Sequence, residues 1–216
     1  MKDIAIYGAG GFGKEVACLI DRINKAETEP KWNLIGFFDD GKPVGEQVSH
    51  HGVVLGGIDV LNNWVSPLDL AIAIGTPSSL MKVAEHIKNG NIHFPNLVDK
   101  SFYVIDKNTL TIGRGNIIQG PGSVSCDVLI GNFNDLNGGV VIGHDTQIGN
   151  YNAIMPSCRI SGEVKIGDCN LLGTNSIVIQ QLKIGNGVTL GAGSVLMAKP
   201  KNGFVYIGVP AKRFKF

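Results

Sequence analysis

The chain has 216 residues, with 19 basic and 18 acidic side chains and a formal net charge of +1. That balance leaves no electrostatic footprint for nucleic acid or a membrane surface, so any charged ligand has to be held locally. The length suits one large domain or two small ones, and no apolar run approaches the roughly 20 residues needed to cross a bilayer. Cys18, Cys126, Cys158 and Cys169 show no CxxC spacing, and Met1-Lys2-Asp3 leads directly into a strand pattern, not a signal peptide. These features read as a cytoplasmic protein with reduced thiols and no metal cluster.

Residues 4–7 form a short apolar run, followed at once by Gly8-Ala9-Gly10-Gly11-Phe12-Gly13 and a helical stretch over 14–25. Strand, glycine turn and helix in that order give a G-x-G-x-x-G motif its meaning: backbone N–H groups at Gly8, Gly10, Gly11 and Gly13 can approach a pyrophosphate at the positive end of the helix. The same glycines would also serve plain close packing of helix on strand. A second strand over 34–38 ends in Asp39-Asp40, where an acid can accept from ribose hydroxyls or base N–H groups. An apolar run at 70–74, a helix opened by Gly75-Thr76-Pro77 and a last strand over 94–98 complete a small doubly wound α/β unit. It is too short to be a whole dehydrogenase.

From Ile112 to Leu196 every sixth residue is Ile, Leu or Val. Neither a helix nor an ordinary strand has period six. A coil with three flat faces does, each hexapeptide giving one short strand and one corner, with its aliphatic residue stacked inward about 4.8 Å from its equivalent in the next coil. Glycine often follows the inward residue, which predicts corners of unusual dihedrals there. Fifth positions such as Asn134, Asn152, Cys158 and Asn170 are small enough to lie inside, and stacked Asn residues can form ladders. His144 is the only histidine in the repeat. At the third position of its hexapeptide it points outward, where an imidazole can take a proton from an attacking amine or hydroxyl, with Asp145 beside it to favour one tautomer.

Five segments, 8–16, 137–149, 160–167, 190–195 and 208–212, together resemble the sialic acid O-acetyltransferase family of bacterial sugar acetyltransferases, which includes UDP-4-amino-sugar N-acetyltransferases. The resemblance implies a Rossmann-like domain over 1–98 and a left-handed parallel β-helix over 99–216, assembled as a homotrimer with acetyl-CoA between neighbouring prisms. It implies His144 as general base supported by Asp145, the Gly162 N–H as oxyanion donor, and Gly191 and Ala192 beside the donor. A nucleotide sugar would be held by the glycine turn with Asp39 and Asp40. Lys212, with Lys199 and Arg213, is a candidate for CoA phosphates. Outward apolar residues such as Met155, Ile177 and Ile179 favour burial against a neighbour. Some aminosugar members carry a second histidine nine residues after the base, where this chain has Ala153.

Other readings fare less well. A zinc site needs about three imidazoles, and the repeat has one. A nicotinamide-linked reductase would leave the repeat without a task. The remaining rival is a nucleotide-sugar-binding protein whose prism serves only oligomerisation.

Overall fold

The computed structural model describes residues 1–214. Its first part contains β1 (Lys2–Tyr7), α1 (Gly11–Lys25), β2 (Trp32–Phe38), β3 (Val54–Gly56), α2 (Ile58–Asn62), β4 (Leu68–Ile72), α3 (Pro77–His86) and β5 (Ile92–His93). The strands form one parallel sheet in the order β3-β2-β1-β4-β5. Chain order reverses between β1 and β4, the crevice where such sheets receive ligands. The central strand is buried on both faces at Ile4, Ala5, Ile6 and Tyr7, while α1 presses Val16, Leu19, Ile20 and Ile23 onto the sheet.

β4 begins two residues before the expected apolar run. Asp69 hides that start in the sequence, yet it is accommodated because the Trp32 indole Nε1–H donates to its Oδ2 at 2.9 Å. The expected strand over 94–98 divides: Ile92–His93 closes the α/β sheet, whereas Leu97–Val98 pairs with Ile117–Ile118 and is already the first rung of the repeat.

The rest of the described chain is a parallel β-solenoid with three faces. The first carries Leu97–Val98, Ile117–Ile118, Asp135–Leu136, Ala153–Ile154, Leu171–Leu172, Thr189–Leu190 and Val205–Ile207, closed by antiparallel Lys212–Arg213. The second runs from Phe102–Val104 to Val195–Leu196, and the third from Thr111–Ile112 to Lys183–Ile184. Partners such as Val141 and Arg159 lie one coil, 18 residues, apart. The sixth-residue aliphatics, Ile130, Leu136, Ile142, Ile148 and their successors, form one continuous core with Val140, Cys158 and Val164. Val98 and Val104 pack against that core, but Ile112 follows Val104 by eight positions instead of six, which is why the period cannot be traced further back.

The corners correct one expectation. Positive φ does not fall on the glycine after the inward residue. It falls two residues later, at Asp127, Phe133, Asp145, Tyr151, Ser157, Glu163, Cys169, Asn175 and Gln181, all with φ between 53° and 63°. Glycine follows the inward residue for lack of room: a Cβ on Gly131 would lie 2.4 Å from the carbonyl oxygen of Gly149 in the next coil.

Inside the edge between third and first faces, Asn116, Asn134, Asn152 and Asn170 are buried and joined in file. Asn152 Nδ2 donates to Asn134 Oδ1 and to Gly167 O, each at 2.9 Å, and Asn152 Oδ1 accepts from Asn170 Nδ2 at 2.9 Å.

The two parts share a continuous seam. Leu97 and Ile117 enter the α/β core with Ile4, Ile6 and Val16. Phe94 meets Phe133 edge-on at 5.1 Å between centroids, and Phe133 stacks on Tyr151 at 5.5 Å. Arg22 Nε donates to Asp99 Oδ2 at 2.8 Å. Burial alone would raise the Asp99 carboxyl, but the hydroxyl and N–H of Ser101, together with Arg22, hold it below the ordinary carboxylate range. Met155 lines a cleft at this seam with Phe12 and Pro156, while Ile177 is exposed. Among the described residues no helix is long and apolar enough to cross a membrane.

Candidate active site

His144 stands on the edge between the second and third faces, two residues after inward Ile142. Its ring is exposed, and Nδ1 lies 2.7 Å from Asp145 Oδ2. The pairing follows from backbone shape: Asp145 has φ +55°, and this left-handed corner turns its side chain back toward its neighbour. A carboxylate on Nδ1 selects the tautomer that leaves the Nε2 lone pair free.

One coil further, Gly162 occupies the equivalent position. A Cβ there would sit 2.6 Å from His144 Nε2 and 2.7 Å from Cε1, so only a residue without a side chain leaves the imidazole its place. Glu163 N–H donates to His144 O at 2.7 Å, tying the two coils together. The Gly162 N–H has no acceptor among the described residues. The edge thus presents a basic nitrogen and an unused N–H donor side by side, the pair of groups that acyl transfer requires.

Gly191 and Ala192 follow Leu190 of the first face and lie on the edge between the first and second faces, across a whole face from His144. Asn137 and Met155 share that edge. Lys212 is exposed in the terminal antiparallel pair with Ile207. One protomer therefore does not gather all the candidate groups.

In the α/β part, the four glycines divide by role. Gly8 has φ +109° and its Cβ would meet Ala73 O at 2.5 Å; a Cβ on Gly13 would lie 2.0 Å from Gly8 O. These two serve close packing. Gly10 and Gly11 have nothing within 4 Å, and α1 begins there with no side-chain cap and no acid in its first turn. Such a helix end attracts an anion. Asp39 braces the turn, accepting from Ala9 N–H and Gly41 N–H, each at 2.8 Å. Asp40 accepts from Ile58 N–H at 2.8 Å and from the Tyr7 hydroxyl, whose pKa burial and this carboxylate push far up. Both acids thus have structural partners that the sequence reading did not foresee.

Between turn and prism lies a cleft lined by Phe12, Glu15, Gly75, Asp135, Asn137, Met155 and Pro156. Asp135 escaped the sequence reading, although a signal was available: it is the one charged residue in a column that runs Ile117, Asp135, Ala153, Leu171, Thr189.

The fold, together with the solved structures that share it, makes the chain an acyltransferase. Residues 3–87 match the PglD N-terminal domain. The whole chain is similar to the acetyltransferase domain of PglB from Neisseria gonorrhoeae FA1090, solved in complex with acetyl coenzyme A, at 26% identity and TM-score 0.85 over 99% of both chains. The same fold occurs in PerB from Caulobacter crescentus, solved with CoA and GDP-perosamine, at 22% identity and TM-score 0.84 over 100% of this chain and 98% of that one. It occurs also in WeeI from Acinetobacter baumannii AYE, at 24% identity and TM-score 0.85 over 99% of this chain and 100% of that one. None of the curated proteins compared with the chain matches it.

Proposed function

We propose that this protein transfers the acetyl group of acetyl-CoA to an amine or hydroxyl of a nucleotide-linked sugar. The observation that carries the reading is the His144–Asp145–Gly162 arrangement, with Nε2 free and poised over a residue whose N–H is unused. His144 Nε2 takes the proton of the acceptor N–H or O–H as that atom attacks the thioester carbonyl. The Gly162 N–H donates to the oxyanion that forms. Collapse of the tetrahedral intermediate expels the CoA thiolate, which receives the proton from the imidazolium, leaving acetylated sugar and free CoA. Asp145 steadies the imidazolium and never itself needs the proton.

The donor and acceptor classes are supported by the acetyl coenzyme A in the PglB domain and by the CoA and GDP-perosamine in PerB. The uncapped start of α1 suits the diphosphate, with Asp39 and Asp40 at the ribose end, and Lys212 offers a cation to CoA phosphates. Because His144 and the Gly191–Ala192 edge lie on opposite sides of one face, a complete site needs two copies, consistent with a cyclic trimer.

The test is thiol release from acetyl-CoA with a panel of UDP-, GDP- and CMP-linked sugars, wild type against His144→Ala. A general base contributes about 10²–10⁴-fold. The expected result is a loss of that size with nucleotide-sugar binding retained. Equal rates would remove His144 from the mechanism, and binding without any turnover in the wild type would favour a sensing protein.

A further inference from the structure

The cleft between α1 and the prism holds a carboxyl that the reaction above does not use. Asp135 points outward from the first face, only 3% exposed, with apolar Ile117 and Ala153 in register on either side. No hydrogen bond from the described residues reaches its carboxyl, which opens into the cleft. Burial, and then the nearby charge of Glu15 on α1, push its pKa well up. An unpaired buried acid is costly, and its neighbours show that an aliphatic side chain fits the same column, so packing does not account for it.

The lining says what the carboxyl awaits. Phe12, Met155 and Pro156 supply an apolar wall, Asp135, Glu15 and Asn137 supply polar groups, and no basic side chain lines the cleft. A phosphate would be repelled. A pyranose ring, apolar on its C–H face and bearing hydrogen-bond donors at its rim, matches both halves of the lining. Phe12 is also the second residue of α1, so a diphosphate at the uncapped Gly10–Gly11 turn would deliver its sugar directly across that ring toward Asp135.

We propose that Asp135 grips the sugar of the acceptor, accepting a hydrogen bond from an amino or hydroxyl group on the ring, and thereby selects which nucleotide sugars this protein acetylates. The inference rests on the functional reading above and adds a specificity-determining residue to it. A carboxylate oxygen accepts from a neutral amino N–H as it does from a hydroxyl, and leaves the lone pair of that amine free for attack. This role gives Asp135 no direct part in holding the nucleotide or acetyl-CoA.

Calorimetric titration of wild type, Asp135→Asn and Asp135→Leu tests this, using GDP-perosamine, a UDP-linked 4-amino sugar, GDP-mannose, UDP-N-acetylglucosamine, GDP and UDP. In the wild type at least one sugar should bind more tightly than its nucleoside diphosphate alone. Asp135→Leu should erase that increment, about 10- to 100-fold for a hydrogen bond to a charged group, while GDP and UDP affinities stay unchanged. Asp135→Asn, which keeps an acceptor oxygen, should lose less of that increment than Asp135→Leu. In turnover, KM for the sugar should rise and KM for acetyl-CoA should not.

Stability provides the control against a purely structural role. A folded-state pKa above the unfolded one means that the folded chain binds the proton more tightly, so stability falls as pH rises from the unfolded value through the folded one. Asp135→Asn should therefore melt at or above the wild-type temperature at pH 8, with the gap closing toward pH 4. An unchanged sugar increment in Asp135→Leu, equal losses for sugar and nucleoside diphosphate, no increment in the wild type, or a lowered melting temperature at pH 8 would each overturn the proposal. Because binding is read without turnover, an inactive wild type that keeps the increment would refute acetyl transfer and leave the Asp135 assignment standing.

Discussion

Two edges of the prism share one backbone and differ in almost everything else. On the edge between the third and first faces, the second residue after each inward aliphatic has its N–H capped by a side chain of the next coil: Asn132 N–H by Asn150 Oδ1 at 2.8 Å, Asn150 N–H by Asp168 Oδ1 at 2.7 Å, Asp168 N–H by Asn186 Oδ1 at 2.8 Å. The buried asparagine file runs directly behind. On the edge between the second and third faces the same position holds Cys126, His144, Gly162 and Gln180, and no such ladder forms. Satisfied polar groups make the first edge a brace. The unclaimed N–H of Gly162 leaves the second open for the chemistry proposed above, with the brace one face away to hold it in position.

Filling the open edge should have the largest effect. In Gly162→Ala the new methyl would occupy the space of the imidazole and turn it away from Asp145, while the backbone N–H remains. Thiol release should fall about 10³-fold or more, comparable with loss of the base itself, with a melting temperature little changed. Near-wild-type turnover in this variant would mean that the ring does not work where it stands.

Breaking the brace tests the other half. Asn152→Ala strands partners on both sides, Asn134 Oδ1, Gly167 O and the Asn170 amide, in a fully buried file. Stability should drop by about 3–5 kcal/mol, read from denaturant unfolding, and an effect under about 1 kcal/mol would show that the file is decorative. The smallest effect belongs to Asp145→Asn. This pair is exposed on both sides, so stability should hardly move; kcat should fall about 10- to 100-fold through loss of the tautomer, with KM for acetyl-CoA unchanged.

The solenoid was legible because each coil repeats one physical demand, an aliphatic residue facing inward, and Cys158, Asn134 and Asn152 fell inside as their position in the hexapeptide implied. Corner geometry was less legible. The glycine after the inward residue marked steric crowding, whereas the left-handed conformation two residues later fell on glycines such as Gly139 and Gly193 but also on Glu163 and Gln181, residue types that do not signal it. Counting hexapeptides in threes would have separated Gly191 and Ala192 from the edge of His144. The sequence also showed Asp39 and Asp40 ending a strand but not their engagement with Ala9, Gly41, Ile58 and Tyr7, because those partners are brought together only by the sheet. Short β3 and α2 have too few residues for a period to show.

The seam between the two parts has a kinetic consequence. Apolar packing at Leu97 and Ile117, the Phe94–Phe133–Tyr151 stack and the Arg22–Asp99 pair span it from one side to the other, so parting the α/β unit from the prism would expose apolar surface and break an ion pair. If the proposed sugar binds in the cleft beside this seam, its dwell time should be set by the strength of its own contacts.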